Sequence, residues 1–282
     1  MIKLAITGYP LAHSLSPAIH RAALADVGLE GDYVLLEAPP EELEEKVNHL
    51  KENGFRGFNV TIPHKVAVMN YLDDIDPFAQ QVGAVNTVVI SPDRKLSGYN
   101  TDVYGFTQAI PEDIRTNLQG RKAAVIGSGG AARAVIAGLT DIGVSEITIH
   151  ARSVEKAQEL ADNCHKSGIC SPNVAELAEN ADLSDVAIVV NTTPVGMQGK
   201  FEGVSPLAVQ SLASLPPNAL VYDIVYKPAE TKLLELAKKR GLAVLNGLDM
   251  LVLQGAKGFE LWTGKPAPVD VMKQALLAVL PA

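Results

Sequence analysis

The sequence predicts an α/β protein of two domains, and three observations carry that reading. A short apolar run, Ala123 to Ile126, breaks into the cluster Gly127-Ser-Gly-Gly-Ala131 and passes directly into an alanine-rich helical pattern. Strand, tight turn and helix in that order open a nucleotide-binding βαβ unit of the Rossmann type. Residues 1–120 come first, and a chain of 282 residues has room for two domains of roughly 100–200 residues each. Short apolar runs alternate with helical patterns on both sides of the loop, which suits helix-covered sheets in both halves.

Within the loop, Gly127 makes the turn and Gly129 lets the backbone come close to a pyrophosphate. Ser128, Gly130 and Ala131 complete it, and small Ala132 lets the helix pack on the strand. The helix N-terminus adds free N–H groups and the positive end of a dipole, both suited to an anion.

Composition narrows the function. Apolar residues at 47% and charged residues at 20% are those of a globular protein with a sizeable core. A net charge of -8 argues against a general nucleic-acid partner. Cys164 and Cys170 are the only cysteines, so neither a disulfide framework nor a metal site is expected, and a reducing cytoplasm fits. The opening MIKLAITGYP lacks the apolar run of a signal peptide, and no stretch of about 20 apolar residues could span a bilayer. The expectation is a cytoplasmic protein without membrane contact.

Taken in order, Lys3 to Gly8 reads as a strand. Ser16-Pro17 reads as a helix N-cap and first turn, with Gly28 as the stop. Capping explains Ser16 but not Ser14, and two hydroxyls beside a helix start would also make a carboxylate receptor. Asp32 to Ala38 is a second strand, Pro40 to His49 an amphipathic helix with Leu43, Val47 and Leu50 on one face, and Phe55 to Ile62 a third strand. The third strand runs into Asn59-Val-Thr-Ile-Pro-His-Lys65, where Pro63 predicts a helix continuing to Leu72. Lys65 would then sit in a first turn, where a cation is unfavourable and a lowered pKa would suit proton transfer. The bland alternative is a solvated lysine. Gly83 to Asn100 reads as a hairpin turning at Ser91-Pro-Asp-Arg94, with Asn86 among apolar neighbours and in need of partners or a ligand. Asn100-Thr-Asp102 opens the next helix, where Asp102 is either a cap or first-turn carboxylate or the proton partner of Lys65.

Pro111 to Gly120 is polar without clear periodicity and reads as the linker. After the loop, Glu146 to His150 is the second nucleotide-domain strand, followed by Ala151-Arg-Ser-Val-Glu-Lys156. An NAD-selecting fold places an acid at that strand end to hold the ribose. None is present; Arg152, Ser153 and Lys156 suit a 2′-phosphate instead, which favours NADP, with a solvated Arg152 as the alternative. Asp185 to Val190 and Leu220 to Ile224 are buried strands that deliver Thr192 and Tyr226 to a sheet edge. Ala229 to Arg240 is helical and Leu242 to Leu245 a strand. Gly247 and Gln254 begin a helix reaching Trp262, on whose polar edge Gln254 may be read as simply solvated, and Val269 to Leu280 is a last helix returning to the first domain.

Eight blocks now stand in order: Ser14-Leu-Ser-Pro17, Asn59 to Lys65, Gly83 to Thr87, Tyr99 to Gly105, Gly127 to Ala131, Asn191 to Gly196, Tyr222 to Tyr226 and Gly247 to Gln254. Together they resemble the shikimate dehydrogenase family. The resemblance implies reversible NADPH-dependent reduction of 3-dehydroshikimate to shikimate, on the path to chorismate and the aromatic amino acids, by a monomer or homodimer. It implies a substrate domain at 1–105 with about 248–282, an NADP domain at 106–247, and a site in the cleft between them. It assigns the substrate carboxylate to Ser14 and Ser16 with Tyr226 nearby, and the ring hydroxyls to Asn59, Thr61, Asn86, Asp102 and Gln254. Lys65 would be the acid/base, paired with Asp102. The loop 127–131 would bind pyrophosphate, Arg152 and Ser153 the 2′-phosphate, and Thr192, Ile224 and Gly247 would line the nicotinamide side.

Two positions depart from the family pattern. Ala151 stands where an Asn is usual, removing one hydrogen-bonding group near the adenosine, and Arg21 replaces an Asn after the first-helix histidine. The competing readings are a quinate/shikimate dehydrogenase using NAD or NADP, a ligand sensor that has lost catalysis, and a dehydrogenase of the methylene-folate type. Retention of both Lys65 and Asp102 counts against the sensor, and the Ser14/Ser16 block against the last.

Overall fold

A computed structural model describes residues 1–12 and 14–280. Its elements group into two compact units, Met1–Gly105 together with the chain from Val252 onward, and Phe106–Leu251.

The first unit opens with Ile2–Gly8 (β1), Ser16–Asp26 (α1), Gly31–Glu37 (β2), Leu43–Glu52 (α2) and Gly57–Val60 (β3). β1 pairs in parallel with β2 on one side and β3 on the other, so these three strands point their carboxyl ends to one edge. Asp74–Ile75 (β4), Pro77–Val82 (α3), Thr87–Ile90 (β5) and Leu96–Tyr99 (β6) complete a sheet of order β2-β1-β3-β5-β6-β4. β5 runs antiparallel to β3, with Thr87 opposite Asn59, and β6 returns with Tyr99 opposite Thr87. The start of β5 and the end of β6 therefore lie at the same edge as the ends of β1 and β3. On one face, Leu43, Val47 and Leu50 of α2 bury against Phe58, Val60 and Val88, the stripe that the sequence periodicity marks.

Asp102–Ala109 (α4) leads to Glu112–Leu118 (α5), which replaces the expected linker at 111–120. Ile110, Ile114 and Leu118 recur every four residues, and Ile110 and Leu118 are buried in the core of the second unit. The five polar side chains between them hid that stripe.

The second unit continues with Lys122–Ile126 (β7), Gly130–Ile142 (α6), Glu146–Ala151 (β8), Val154–Lys166 (α7), Asn173–Glu176 (β9), Val186–Asn191 (β10), Val209–Ser214 (α8), Leu220–Asp223 (β11), Lys232–Lys239 (α9) and Ala243–Leu245 (β12). All six strands are parallel, in the order β12-β11-β10-β7-β8-β9. Numbered within the unit and read from β9, that is 3-2-1-4-5-6, the doubly wound dinucleotide-binding order, with its switch point between β7 and β10. The strands are nearly continuous apolar runs because helices cover both faces. Leu248–Thr263 (α10) and Val269–Val279 (α11) close the chain, and α11 packs on α1 in the first unit.

Trp262 of α10 anchors that return. Its Nε1 donates to the Val88 carbonyl (2.9 Å), directly over Gly57. A Cβ at position 57 would stand 2.3 Å from Trp262 Nε1 and 2.4 Å from the Val88 oxygen. Backbone on one side and a fully buried ring on the other leave no room to yield. Gly57→Ala is expected to destabilise the protein by at least about 2 kcal/mol, read as a lowered urea midpoint at unchanged slope. An unchanged midpoint would show that the ring is free to shift.

Candidate active site

Lys65 does not start a helix. Residues 62–66 form turns, and a five-residue 3-10 helix follows at Ala67–Tyr71. The reason lies in the backbone partners. The Lys65 carbonyl, which would accept from residue 69 in an α-helix, accepts instead from Val85 N–H (2.8 Å), while Met69 N–H turns to Val66 (3.2 Å). His64 fixes the turn from the other side: its buried Nε2 donates to the Ala38 carbonyl at 2.6 Å. The helix dipole invoked for Lys65 is therefore absent, and what orients its ammonium is a carboxylate. Lys65 Nζ lies 2.6 Å from Asp102 Oδ2, with both side chains largely buried.

Asp102 is free for that pairing because Asn100 caps α4. The Asn100 Oδ1 accepts from the N–H groups of Asp102 (3.1 Å) and Val103 (3.3 Å), which removes the capping explanation for Asp102. Asn86 is the hub behind the pair. Its Nδ2 lies 2.9 Å from Asp102 Oδ1, 3.0 Å from Thr101 Oγ1 and 3.2 Å from Gln254 Oε1. Its Oδ1 accepts from Thr101 N–H at 2.7 Å. The buried amide thus finds its partners within the protein, and one of them is Gln254 on α10.

Asn59, at the end of β3, is held equally firmly. Its Nδ2 donates to the Asn86 carbonyl (3.1 Å) and to Thr87 Oγ1 (3.0 Å), and its Oδ1 accepts from the Tyr33 hydroxyl at 2.6 Å. Ser16 makes no capping hydrogen bond: it is the first helical residue of α1, and Leu15 occupies the cap position. Its buried hydroxyl stands beside the Tyr33 hydroxyl. Thr61 follows β3, its N–H bonded to the Thr7 carbonyl (2.9 Å), and Tyr9 N–H bonds the Ile62 carbonyl (2.9 Å). Ser14, Ser16, Asn59, Thr61, Lys65, Asn86, Asp102 and Gln254 all belong to the first unit, whereas Tyr226 belongs to the second. Arg21 is a surface residue paired with Asp32 at 2.6 Å.

The second unit gathers its predicted residues at the carboxyl edge of the parallel strands. Gly127 has φ +107, and a Cβ there would meet Thr192 Oγ1 and Thr193 Cγ2, each at 2.8 Å. Gly127 N–H bonds the His150 carbonyl (2.9 Å), and Thr192 Oγ1 donates to the Ile126 carbonyl (2.7 Å), joining the ends of β7, β8 and β10. Gly129 is different: among the described residues, nothing lies within 4 Å of where its Cβ would stand. Protein packing among those residues does not demand glycine there. Gly247 is pressed on Ile224, its missing Cβ 2.0 Å from the Ile224 carbonyl oxygen. Ala151 is buried in the core, so no acid or amide stands at the end of β8, and Arg152 is exposed beyond it. Ser153 caps α7, its Oγ accepting from Lys156 N–H (3.3 Å) while its proton remains available.

Sequence reasoning missed Asp223. It is fully buried at the end of β11, accepting from Asn191 Nδ2 (2.9 Å) and Val225 N–H (3.1 Å) on Oδ1 and from Thr231 Oγ1 (2.6 Å) on Oδ2. It locks the loops carrying Thr192 and Ile224. Burial outweighs these bonds and pushes its carboxyl up to about 6. With the folded value above the unfolded one, the native state holds the extra proton between pH 4 and 6, so this group costs stability as pH rises through that window. The cost above it is on the order of 2–3 kcal/mol. Asp223→Asn removes that component, so its stability relative to the parent should climb from pH 4 to pH 7 in urea titrations. A pH-independent difference would contradict the assignment.

Cys164 and Cys170 are free thiols, and burial pushes Cys164 up to about 11. Among the described residues, no group of three or more His, Cys, Asp or Glu side chains is arranged to hold a metal, and no helix is long and apolar enough to cross a membrane.

Three family models match the chain: a shikimate dehydrogenase substrate-binding domain at residues 6–88, a shikimate/quinate 5-dehydrogenase at 109–205, and a shikimate 5'-dehydrogenase C-terminal domain at 247–277. A curated NADP(+) shikimate dehydrogenase of Symbiobacterium thermophilum is 46% identical, over 98% of this chain and 94% of that protein. Among solved structures, the Thermus thermophilus shikimate 5-dehydrogenase in complex with NADP(H) and shikimate is similar with a TM-score of 0.85 at 37% identity, covering 99% of this chain and 100% of that one. A Corynebacterium glutamicum quinate dehydrogenase in complex with NAD gives 0.89 at 30% identity, covering 99% of each chain. Likeness of fold therefore does not separate the two substrates, but sequence identity and the matched models agree: the chain belongs to the shikimate dehydrogenase family.

Proposed function

We propose that this protein interconverts 3-dehydroshikimate and shikimate with NADP(H), using Lys65 and Asp102 as its acid/base pair. The observation that carries the reading is the 2.6 Å contact between Lys65 Nζ and Asp102 Oδ2, set at the strand edge where Asn59, Thr61 and Asn86 also stand. NADP, when bound, supplies the hydride acceptor for oxidation and, reduced, the donor for reduction.

The protein supplies position, field and proton. In reduction the Lys65 ammonium gives its proton to the oxygen developing at the ketone and steadies the charge there; in oxidation the neutral amine takes the hydroxyl proton back. Asp102 accepts one proton of that ammonium on Oδ2 and is itself fixed by Asn86 on Oδ1, which holds the ammonium in place with its other protons to offer. Ser14, Ser16 and Tyr226 would receive the carboxylate, and Thr61, Asn59, Asn86 and Gln254 the ring hydroxyls.

The second unit fits NADP on its own geometry. The open position beside Gly129 suits close approach of a pyrophosphate to Ser128, Gly130 and Ala131. Arg152, with Ser153 and Lys156, would hold the 2′-phosphate, and Thr192, Ile224 and Gly247 would border the nicotinamide. The net charge of -8 supports a small-molecule enzyme without a nucleic-acid partner, and two cysteines without a disulfide framework suit a cytoplasmic location.

The test is to mix the purified protein with NADPH and 3-dehydroshikimate, follow NADPH loss and identify the product by mass spectrometry. Shikimate formed in step with NADPH loss supports the reading, and NADPH stability in that mixture would end it.

A further inference from the structure

Tyr33 is a core aromatic by its sequence pattern, yet its hydroxyl stands in the middle of the polar residues just described. The ring is fully buried. His20 stacks on it at 4.4 Å with planes 7° apart, and Trp262 leans on both rings at 5.3 and 6.3 Å. The wall stays uncharged, since burial pulls His20 down to about 3. Neither His20 nitrogen finds a hydrogen-bond partner among the described residues, so the ring serves as packing. The clamp aims the Tyr33 hydroxyl at Asn59 on β3, whose Oδ1 accepts from it at 2.6 Å.

The proton count then fixes what Asn59 can do. Both its N–H groups are spent on the Asn86 carbonyl and on Thr87 Oγ1. Its Oδ1 takes the Tyr33 proton and keeps one lone pair. In that orientation Asn59 can accept from a ligand and cannot donate to one. Were the amide turned over, its N–H would face the Tyr33 hydroxyl and its oxygen would face the Asn86 carbonyl, two acceptors in opposition.

We propose that Tyr33 is a positioning residue for substrate recognition: its hydroxyl locks Asn59 as a hydrogen-bond acceptor, so that this position selects a ligand hydroxyl over a ligand carbonyl. The inference rests on the functional reading above and names how one of its residues discriminates. A carbonyl placed there would meet a lone pair, so the device separates ring hydroxyls that must stay reduced from the one that reacts.

Tyr33→Phe removes one oxygen and keeps the stacked ring. With shikimate and NADP, its KM for shikimate is expected to rise about tenfold, the scale of one hydrogen bond of ordinary strength. Its kcat should change less than about threefold, and its KM for NADP, bound by the other unit, should not move. A double-mutant cycle supplies the decisive readout. In an Asn59→Ala background, adding Tyr33→Phe should change the shikimate KM by less than about twofold, because the residue it positions is gone. Additive effects in the cycle, an unchanged shikimate KM, or a matching rise for NADP tracking a lowered melting temperature would each overturn the proposal. A parent enzyme that oxidises no shikimate would instead overturn the functional reading, so the two failures are distinguishable.

Discussion

Lys65→Ala is expected to lower kcat by about 10³- to 10⁵-fold, while the KM for shikimate changes less than about tenfold. General acid–base catalysis contributes on the order of 10²–10⁴, and loss of the cation beside a developing alkoxide about 10²–10³ more, with the two overlapping in a single residue. The buried pairing with Asp102 at 2.6 Å is what makes the split readable. Asp102 and Asn86 remain hydrogen-bonded to each other, so the residues proposed to hold the substrate keep their places. The check is steady-state kinetics in both directions at saturating NADP(H). A near-normal kcat would remove Lys65 from the proton transfer, and a KM rise that accounts for the whole loss would make it a binding residue only.

Arg152→Ala should act on the other unit and on one ligand. An arginine–phosphate contact is charge-assisted and worth about 1.5–3 kcal/mol, so the KM for NADP is expected to rise about 10- to 100-fold. NAD has no 2′-phosphate for the guanidinium to meet, so its KM should stay within about threefold and the cofactor preference should collapse. Ala151, buried and without a polar group, provides no second anchor at that strand end. A variant that weakens both cofactors equally would place Arg152 on the adenine or on fold stability instead.

Much of the arrangement is local and therefore legible. The glycine loop, the apolar runs that become β7, β10 and β11, and the α2 stripe each follow from spacing over a few residues. The end of β8 was equally open to reading: Ala151 is buried there with Arg152 exposed beyond it, and no acid stands at the strand end. One misreading turned on a partner distant in sequence and the others on close neighbours. Pro63 looked like a helix start, but the Lys65 carbonyl is claimed by Val85, which no window around Lys65 contains. Ser16-Pro17 looked like a cap, but α1 starts at Ser16 itself with Leu15 in the cap position, and Asn100 supplies the capping oxygen of α4 ahead of Asp102 in its first turn. In 111–120 the polar majority concealed Ile114 and Leu118. Tyr33 and Asp223 carried no signal at all, since a tyrosine in an alternating strand and an aspartate ending one are ordinary until their neighbours are known.

Substrate and cofactor choice are read together from kcat/KM for shikimate and quinate, each with NADP and with NAD. The highest value is expected for shikimate with NADP, with at least a tenfold advantage (about 1.4 kcal/mol) over each other pairing. A higher value for quinate with NAD would contradict it.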